Sequence, residues 1–448
     1  MWCVGVLVVG VACAPVMAAA GTYPTGGVSG AGVVASPVVE SKLAEPLSPE
    51  EKRRLVRERS WWIPGLGVDR SVQVSSGAGV KVCVIDSGVD ATHQDLVGIR
   101  FEGGADFSGK GSPDGLKPNT EHGTSMVGYI AGRGSGPGRS QGIIGAAPDA
   151  TIMSVSSVVG LSTPQNIMAK AISYCVAQGA KVINISQAGG LSLDKARALI
   201  EAQEKDVVVV VGAGNSGRTD GGAWREAFGA LQVGGVMADL QLDPESNRGV
   251  QKREGFVYGQ GNALCGPFSV NQKTPIPGVS PSGGYVKSGG GTSGATAVVS
   301  GVVAAVRSKY PELSAGQVIR RVLATAKRTS DGAVPDEKCG WGVVDAYAAV
   351  TADVPAGSKE NPLGKLKYGN GAINRPSHVE SMGEWDRSYK PTSNTIEDRE
   401  AAEAEKAEKA RSVELWKKLR VAGGVAVVLA VVGGGIFWWR RRSRSSAQ

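Results

Sequence analysis

The stretch Val80-Lys81-Val82-Cys83-Val84-Ile85-Asp86-Ser87-Gly88 decides the fold. Apart from Lys81, everything before Asp86 is apolar, and the run is too short for a helix. Such a run reads as a strand buried on both faces, which exits the sheet at the polar Asp86-Ser87-Gly88. Three further runs have the same character: Thr151 to Val155, Lys181 to Ile185 and Val207 to Val211. Helical spacing of apolar residues is found over Ile167 to Gln178, Asp194 to Lys205 and Ala295 to Lys309. A further helix is predicted over Ala315 to Lys327, with Ser314 as its N-cap. Buried runs alternating with helices predict an α/β domain over residues 61–354. Its doubly wound, mostly parallel sheet carries helices on both faces.

Composition fits this. The chain has 448 residues, 42% of them hydrophobic, enough for a large core. Glycine is abundant at 65 residues and aromatics make up only 5%, which favours many tight turns over a helical bundle. The formal charge of +8 comes from 49 basic and 41 acidic residues mixed along the chain. With no basic stripe or zinc-knuckle spacing, nucleic acid is not an expected partner. The histidines are His93, His122 and His378, so any imidazole chemistry must use one of these.

The two ends predict a membrane topology. Residues 1–20 carry no charge and close on Ala18-Ala19-Ala20, which reads as a secretory signal peptide. Residues 421–439 are uncharged and would span roughly 28 Å as a helix, close to the thickness of a bilayer's hydrocarbon core. Phe437, Trp438 and Trp439 then meet a basic tail over 440–448. The expectation is one C-terminal transmembrane helix, with the bulk of the protein outside the cell. Residues 355–396 read as a linker, and 397–420 as a charged stalk that is either helical or disordered. Residues 21–60 form an N-terminal extension in which Ser48-Pro49-Glu50-Glu51 starts a short helix reaching about Arg59. Forty residues are too few for a self-folding inhibitory domain, so the extension is expected to wrap the surface of the main domain.

Four cysteines follow the signal segment. Cys83 lies in a strand and Cys175 in a helix, and both read as buried small hydrophobes. Cys265 and Cys339 lie in what read as Gly-rich turns and are the favoured disulfide pair. No close Cys or His pair suggests a metal. No cofactor is expected, and calcium is left undetermined.

Three segments carry chemistry. Asp86 ends a buried strand, where open α/β sheets place their sites. His122 stands in Glu121-His122-Gly123-Thr124 at the start of a helical pattern. Ser293 lies in Gly290-Gly291-Thr292-Ser293-Gly294, which opens the long apolar helix. Each alone reads equally well as a cap or a loop anchor. Together they are an acid, a base and a nucleophile in the chain order Asp, His, Ser, one of the orders in which this triad occurs. A fourth segment, Gly212-Ala213-Gly214-Asn215, holds an amide on a Gly-rich turn after a strand, suited to a developing oxyanion.

With these four blocks on the page, the sequence resembles the subtilisin-like serine proteases over about Gly79 to Val350. Val182 to Ser186 and Gly342 to Ala346 are supporting matches. The resemblance implies Ser293 as nucleophile, His122 as general base and then acid, and Asp86 as the group that orients the imidazole. It implies Asn215 and the Ser293 N–H as the oxyanion hole. Ser186, Gln187, Ala188, Ala213 and Gly214 would line the substrate cleft, and the small residues Ala188, Ala213 and Gly214 would suit an apolar P1 residue. His93 matches a structural position. The chain departs from the family pattern at Glu121, usually Gly, at Ala188, usually Gly, and at Gly294 and Ala297, usually an apolar residue and Pro.

The order of signal, extension, protease, linker and membrane helix, together with Trp61 to Gly79, is similar to the mycosins of type VII secretion. That implies a membrane-anchored endopeptidase with protein substrates and the secretion machinery as partners. The alternatives are a general envelope subtilase, or a scaffold for a membrane complex in which catalysis is dispensable.

Overall fold

The computed structural model describes residues 47–366, apart from 158–164, 250–251, 254–255, 258–259, 269–275, 288–289, 330 and 332–333. The segments read as signal peptide, stalk and transmembrane helix, and His378, lie outside the described residues. Among the described residues, no helix is long and apolar enough to cross a membrane.

The main sheet is built from β1 (Lys81–Asp86), β2 (Arg100–Phe101), β3 (Ala105–Asp106), β4 (Thr151–Ser156), β5 (Val182–Ile185), β6 (Val208–Gly212), β7 (Leu231–Val236) and β8 (Leu264–Pro267). Its order is β8-β7-β6-β5-β1-β4-β2, with β3 also on β4, and its paired strands are parallel. From β1 the chain first moves to the β4 side, then crosses to β5 and continues the other way. The sheet therefore has its switch point at β1 and β5, and the crevice at their carboxyl ends is where such folds bind ligands.

Side-chain alternation explains why both faces are covered. Val82 and Val84 of β1 point into a core with Val182, Val208, Val210, Leu231 and Val233. Cys83 and Ile85 point into a second core with Met153, Val155, Ile183, Val209 and Val211. The short helices α2 (Trp62–Gly65) and α3 (Val68–Val74) precede β1; the first core is covered by α4 (His122–Ala131), α7 (Thr292–Lys309) and α8 (Ala315–Ala324), the second by α5 (Gln165–Ala177) and α6 (Leu193–Glu204). Glycine and alanine let α7 approach closely: a side chain at Gly301 would start 2.8 Å from Ala146 Cβ and 3.0 Å from the Ile130 carbonyl.

Both ends of the described chain extend past the domain limits read from the sequence. Helix α1 (Pro49–Arg59) has the expected capping box at Ser48 and Glu51. It is pinned by Arg57, whose guanidinium donates to the carbonyls of Gly142 at 2.7 Å and Gln141 at 3.0 Å. Residues 355–366, read as the start of a linker, run back over the domain. Gln317 donates to the Gly357 carbonyl and Asn361 to that of Gly229, while Leu363 and Leu366 are buried. A Gly- and Pro-rich sequence does not show such packing, because side chains elsewhere in the chain supply the donors.

The cysteines require a correction. Cys83 and Cys175 are buried as expected, but a disulfide joins them, tying β1 to α5. Neither local pattern indicates that the second core brings the two sulfurs together. Cys265 and Cys339 are also bonded. Cys265, however, sits in β8 rather than in a turn; the neighbouring Gly266 is a strand residue on which the Ala295 backbone of α7 rests.

Candidate active site

The three chemistry-bearing segments lie at the carboxyl edge of the sheet, and in none of them does the side chain act as a helix cap. Gly291 caps α7, leaving Ser293 inside the first turn. Glu121 precedes α4 without a side-chain cap bond, so His122 is the first helical residue. Asp86 is 1% exposed at the end of β1. Its Oδ1 accepts from the Ser87 N–H at 2.8 Å, and His122 Nδ1 lies 2.9 Å from Oδ1 and 3.0 Å from Oδ2. A carboxylate in that position places the imidazole proton on Nδ1 and leaves Nε2 as a free base. Burial lowers the His122 pKa, but the adjacent Asp86 charge and hydrogen bond, with Glu121, outweigh this and raise it above the usual 6.5.

The helix that carries His122 has no room at its start. A side chain at Gly123 would begin 2.3 Å from the Gly88 carbonyl and 3.1 Å from Asp86 Oδ1. Ser87 Oγ accepts from the Gly123 N–H and donates to the Thr120 carbonyl, holding the turn before α4 against β1. Helix α4 in turn packs beside α7: the space next to Gly290 is bounded by Ser293 Cβ at 3.5 Å and Met126 Cε at 4.0 Å.

Ser293 Oγ is part-buried and donates to the Ser186 carbonyl at 2.9 Å. Behind it runs a polar chain that sequence reading did not find. Ser300 donates to Asn184 Oδ1, Asn184 Nδ2 to Ser186 Oγ, and Ser186 Oγ to the Ser293 carbonyl, at 3.0, 2.9 and 2.9 Å. These bonds set the start of α7 against the end of β5. Asn184 alternates with Ile183 and Ile185 in a strand, and only its polarity in an apolar run hints at a role.

Asn215 is exposed, and its Oδ1 accepts from both the backbone N–H and the Oγ1 of Thr292, each at 2.9 Å. Its Nδ2 group is thereby left to point away from Thr292. Asn247, also unforeseen, shapes the loop from the other side. It donates to the Ala213 carbonyl at 2.9 Å and accepts from the Ser216 and Arg218 N–H groups. A side chain at Gly214, where φ is 102°, would start 2.5 Å from Asn247 Nδ2.

Of the residues expected to line a cleft, Gln187 is half-buried, while Ala188 is exposed and faces Gly214. Ser186 is buried and offers its carbonyl to Ser293. Ala213 presents no surface: it is fully buried, its N–H bonded to Val233 and its carbonyl to Ala223 and Asn247. It supports the loop from behind. His93 is buried, accepts from the Asp95 N–H and donates to the Gly284 carbonyl. Among the described residues, no group of three or more His, Cys, Asp or Glu could hold a metal ion.

The family model for subtilases matches residues 77–342, which spans all of these positions. This chain belongs to the subtilase family. It is a serine endopeptidase of the subtilisin-like class, with that family's α/β fold. Mycosin-1 of Mycobacterium tuberculosis is 31% identical to this subtilase over 67% of the chain and 75% of the relative. Mycosin-4 of the same organism is 33% identical over 71% and 74%. The solved structure of the MycP3 protease from the type VII (ESX-3) secretion system is 30% identical, with a TM-score of 0.51 over 66% of this chain and 88% of that one.

Proposed function

We propose that this subtilase is a mycosin-like, membrane-anchored endopeptidase that cleaves protein substrates outside the cell as part of a type VII secretion system. The observation that carries the chemistry is the Asp86–His122 pair, whose imidazole has Nδ1 engaged and Nε2 free. A turn about the Ser293 Cα–Cβ bond exchanges the Ser186 carbonyl for that nitrogen. His122 then takes the hydroxyl proton as Oγ attacks the scissile carbonyl, and the positive imidazolium is stabilised by Asp86. The new oxyanion meets the Asn215 Nδ2 and the Ser293 N–H. Collapse passes the proton to the leaving amine and leaves an acyl-enzyme; a water molecule, deprotonated by the same imidazole, releases the acid.

Gln187 and Ala188 present the accessible part of the substrate wall next to Ser293, with Gly214 buried behind Ala188, and the small Ala188 suits an apolar P1 residue. Anchoring rests on the uncharged 421–439 segment and its basic flank, and export on the apolar segment over 1–20. The secretion role rests on the similarity to the mycosins and to the type VII protease structure.

Labelling the full chain with a fluorophosphonate tests the chemistry. Adduct formation on Ser293, lost in Ser293→Ala, is expected. A folded protein that stays unlabelled would overturn the assigned triad.

A further inference from the structure

Lys195, in the first turn of α6, is only 7% exposed. Three circumstances make a cation there costly. It is buried, it lies at the positive end of a helix dipole, and among the described residues no carboxylate pairs with it. Asp194 in the same turn is 56% exposed and pairs with Arg197. Of the other nearly buried helix cations, Arg307 has Asp206 at 3.2 Å, while Arg321 is held by the Ala349, Ala352 and Val354 carbonyls and by Tyr310. Lys195 has one acceptor, the Gly190 carbonyl at 2.9 Å, and the face of Trp224 at 5.3 Å. Burial pushes its pKa down, with no opposing charge.

The place of this ammonium is informative. It lies 3.5 Å from where a Gly189 side chain would begin, under Gly189 and Gly190, which continue the wall formed by Ser186 to Ala188. Trp224 beneath it donates its indole N–H to the Gln187 carbonyl. A Gly189 side chain would sit 3.5 Å from both Nζ and the Trp224 ring, so glycine there leaves that side of the ammonium uncovered, and Gly190 is exposed with nothing within 4 Å of where its side chain would begin. Ser186 touches the nucleophile, and four extended residues reach roughly 13 Å.

We propose that Lys195 forms a subsite of the cleft that takes an acidic side chain of the substrate, two to four residues from the scissile bond. The inference rests on reading Ser186 to Gly190 as the cleft wall. A carboxylate bound there supplies the counter-charge that the fold omits, through a charge-assisted hydrogen bond.

The test uses the full chain carrying Ser293→Ala, so that binding is read without turnover. Fluorescein-labelled decapeptides in which one Glu is walked along the sequence are compared with their Gln counterparts by fluorescence anisotropy. At one position Glu should bind about tenfold more tightly than Gln, and added salt should narrow the gap. Adding Lys195→Met should bring the ratio to about one without lowering the unfolding midpoint, because an uncompensated buried charge has been removed. Equal binding of Glu and Gln at every position, or a preference that survives Lys195→Met, would overturn the proposal and make Lys195 a brace for the wall. The parent comparison and its salt dependence decide the matter even if the variant fails to fold. Failure of all peptides to bind would overturn the cleft reading itself, and this subsite with it.

Discussion

Asn215 gives its carbonyl oxygen to Thr292 twice, to the N–H and to Oγ1, both at 2.9 Å. Thr292 Oγ1 in turn accepts from the Gly214 N–H at 3.0 Å. The Asn215 amide is thus oriented by Thr292, the residue next to Ser293. Thr292→Val keeps the shape and the backbone bond but loses the hydroxyl. It should lower kcat about tenfold with little change in KM, in steady-state hydrolysis of a peptide substrate. Asn215→Ala removes the donor itself and should cost about 10²–10³ in kcat, a magnitude known from subtilisin. Equal effects of both variants on KM alone would place Asn215 in substrate binding instead.

The raised His122 pKa fixes the sign of the pH dependence. Only the neutral imidazole can accept the Ser293 proton, so kcat/KM should fall as pH drops through a midpoint above 6.5. Glu121 contributes to that elevation from an exposed position. Glu121→Gln should move the acid limb to lower pH, less so in high salt. For stability, the protonated histidine is favoured by the fold. That contribution is complete below the unfolded pKa near 6.5 and is lost as pH rises through the folded value. A pH–rate profile that Glu121→Gln leaves in place would remove Glu121 from the site's electrostatics.

The Cys265–Cys339 bond closes a loop with a sequence separation of 74, far apart along the chain but buried together in the fold. Replacing both with serine should cost about 2–4 kcal/mol, read from denaturant unfolding. Non-reducing peptide mapping should recover the Cys83–Cys175 and Cys265–Cys339 pairs. Any other pairing would contradict the packing of β1 on α5.

Helix α1 lies against the strand at residues 141–144 through Arg57 and Arg53, the latter donating to Gln141 at 3.1 Å. Removing residues 21–60 should lower the thermal midpoint, since the packing of α1 is lost, while leaving peptidase activity within about twofold. A large rise in rate would show instead that the extension is inhibitory.

The strands β1, β4, β5 and β6 were legible because each is a short apolar run whose alternate side chains serve both faces. Helices α5, α6, α7 and α8 were legible from their periodicity and, for α8, from Ser314. Four strands of the main sheet escaped, β2 and β3 because they have two residues each, β7 and β8 because of their glycines. Gly234 and Gly235 in β7 and Gly266 in β8 look like turn residues, yet Asn262, Phe268 and Ala295 cover them so closely that a side chain would not fit. Their strand character comes from neighbours that approach them, which no local pattern reports.

The site divides in the same way. By itself the sequence marked the side chains that the proposed chemistry uses, since Asp86, His122, Ser293 and Asn215 each stand in a recognisable local setting at the end of a strand or the start of a helix. Only the tertiary structure decided what holds them: Thr292 on Asn215, Asn184 behind Ser186, Asn247 around the Gly214 loop, and Lys195 on the Gly190 carbonyl under the wall. Chemical identity and backbone setting are properties of neighbours in sequence. Hydrogen-bond partners, counter-charges and disulfide mates are set by distances across the sheet, which exist only once the two cores have closed.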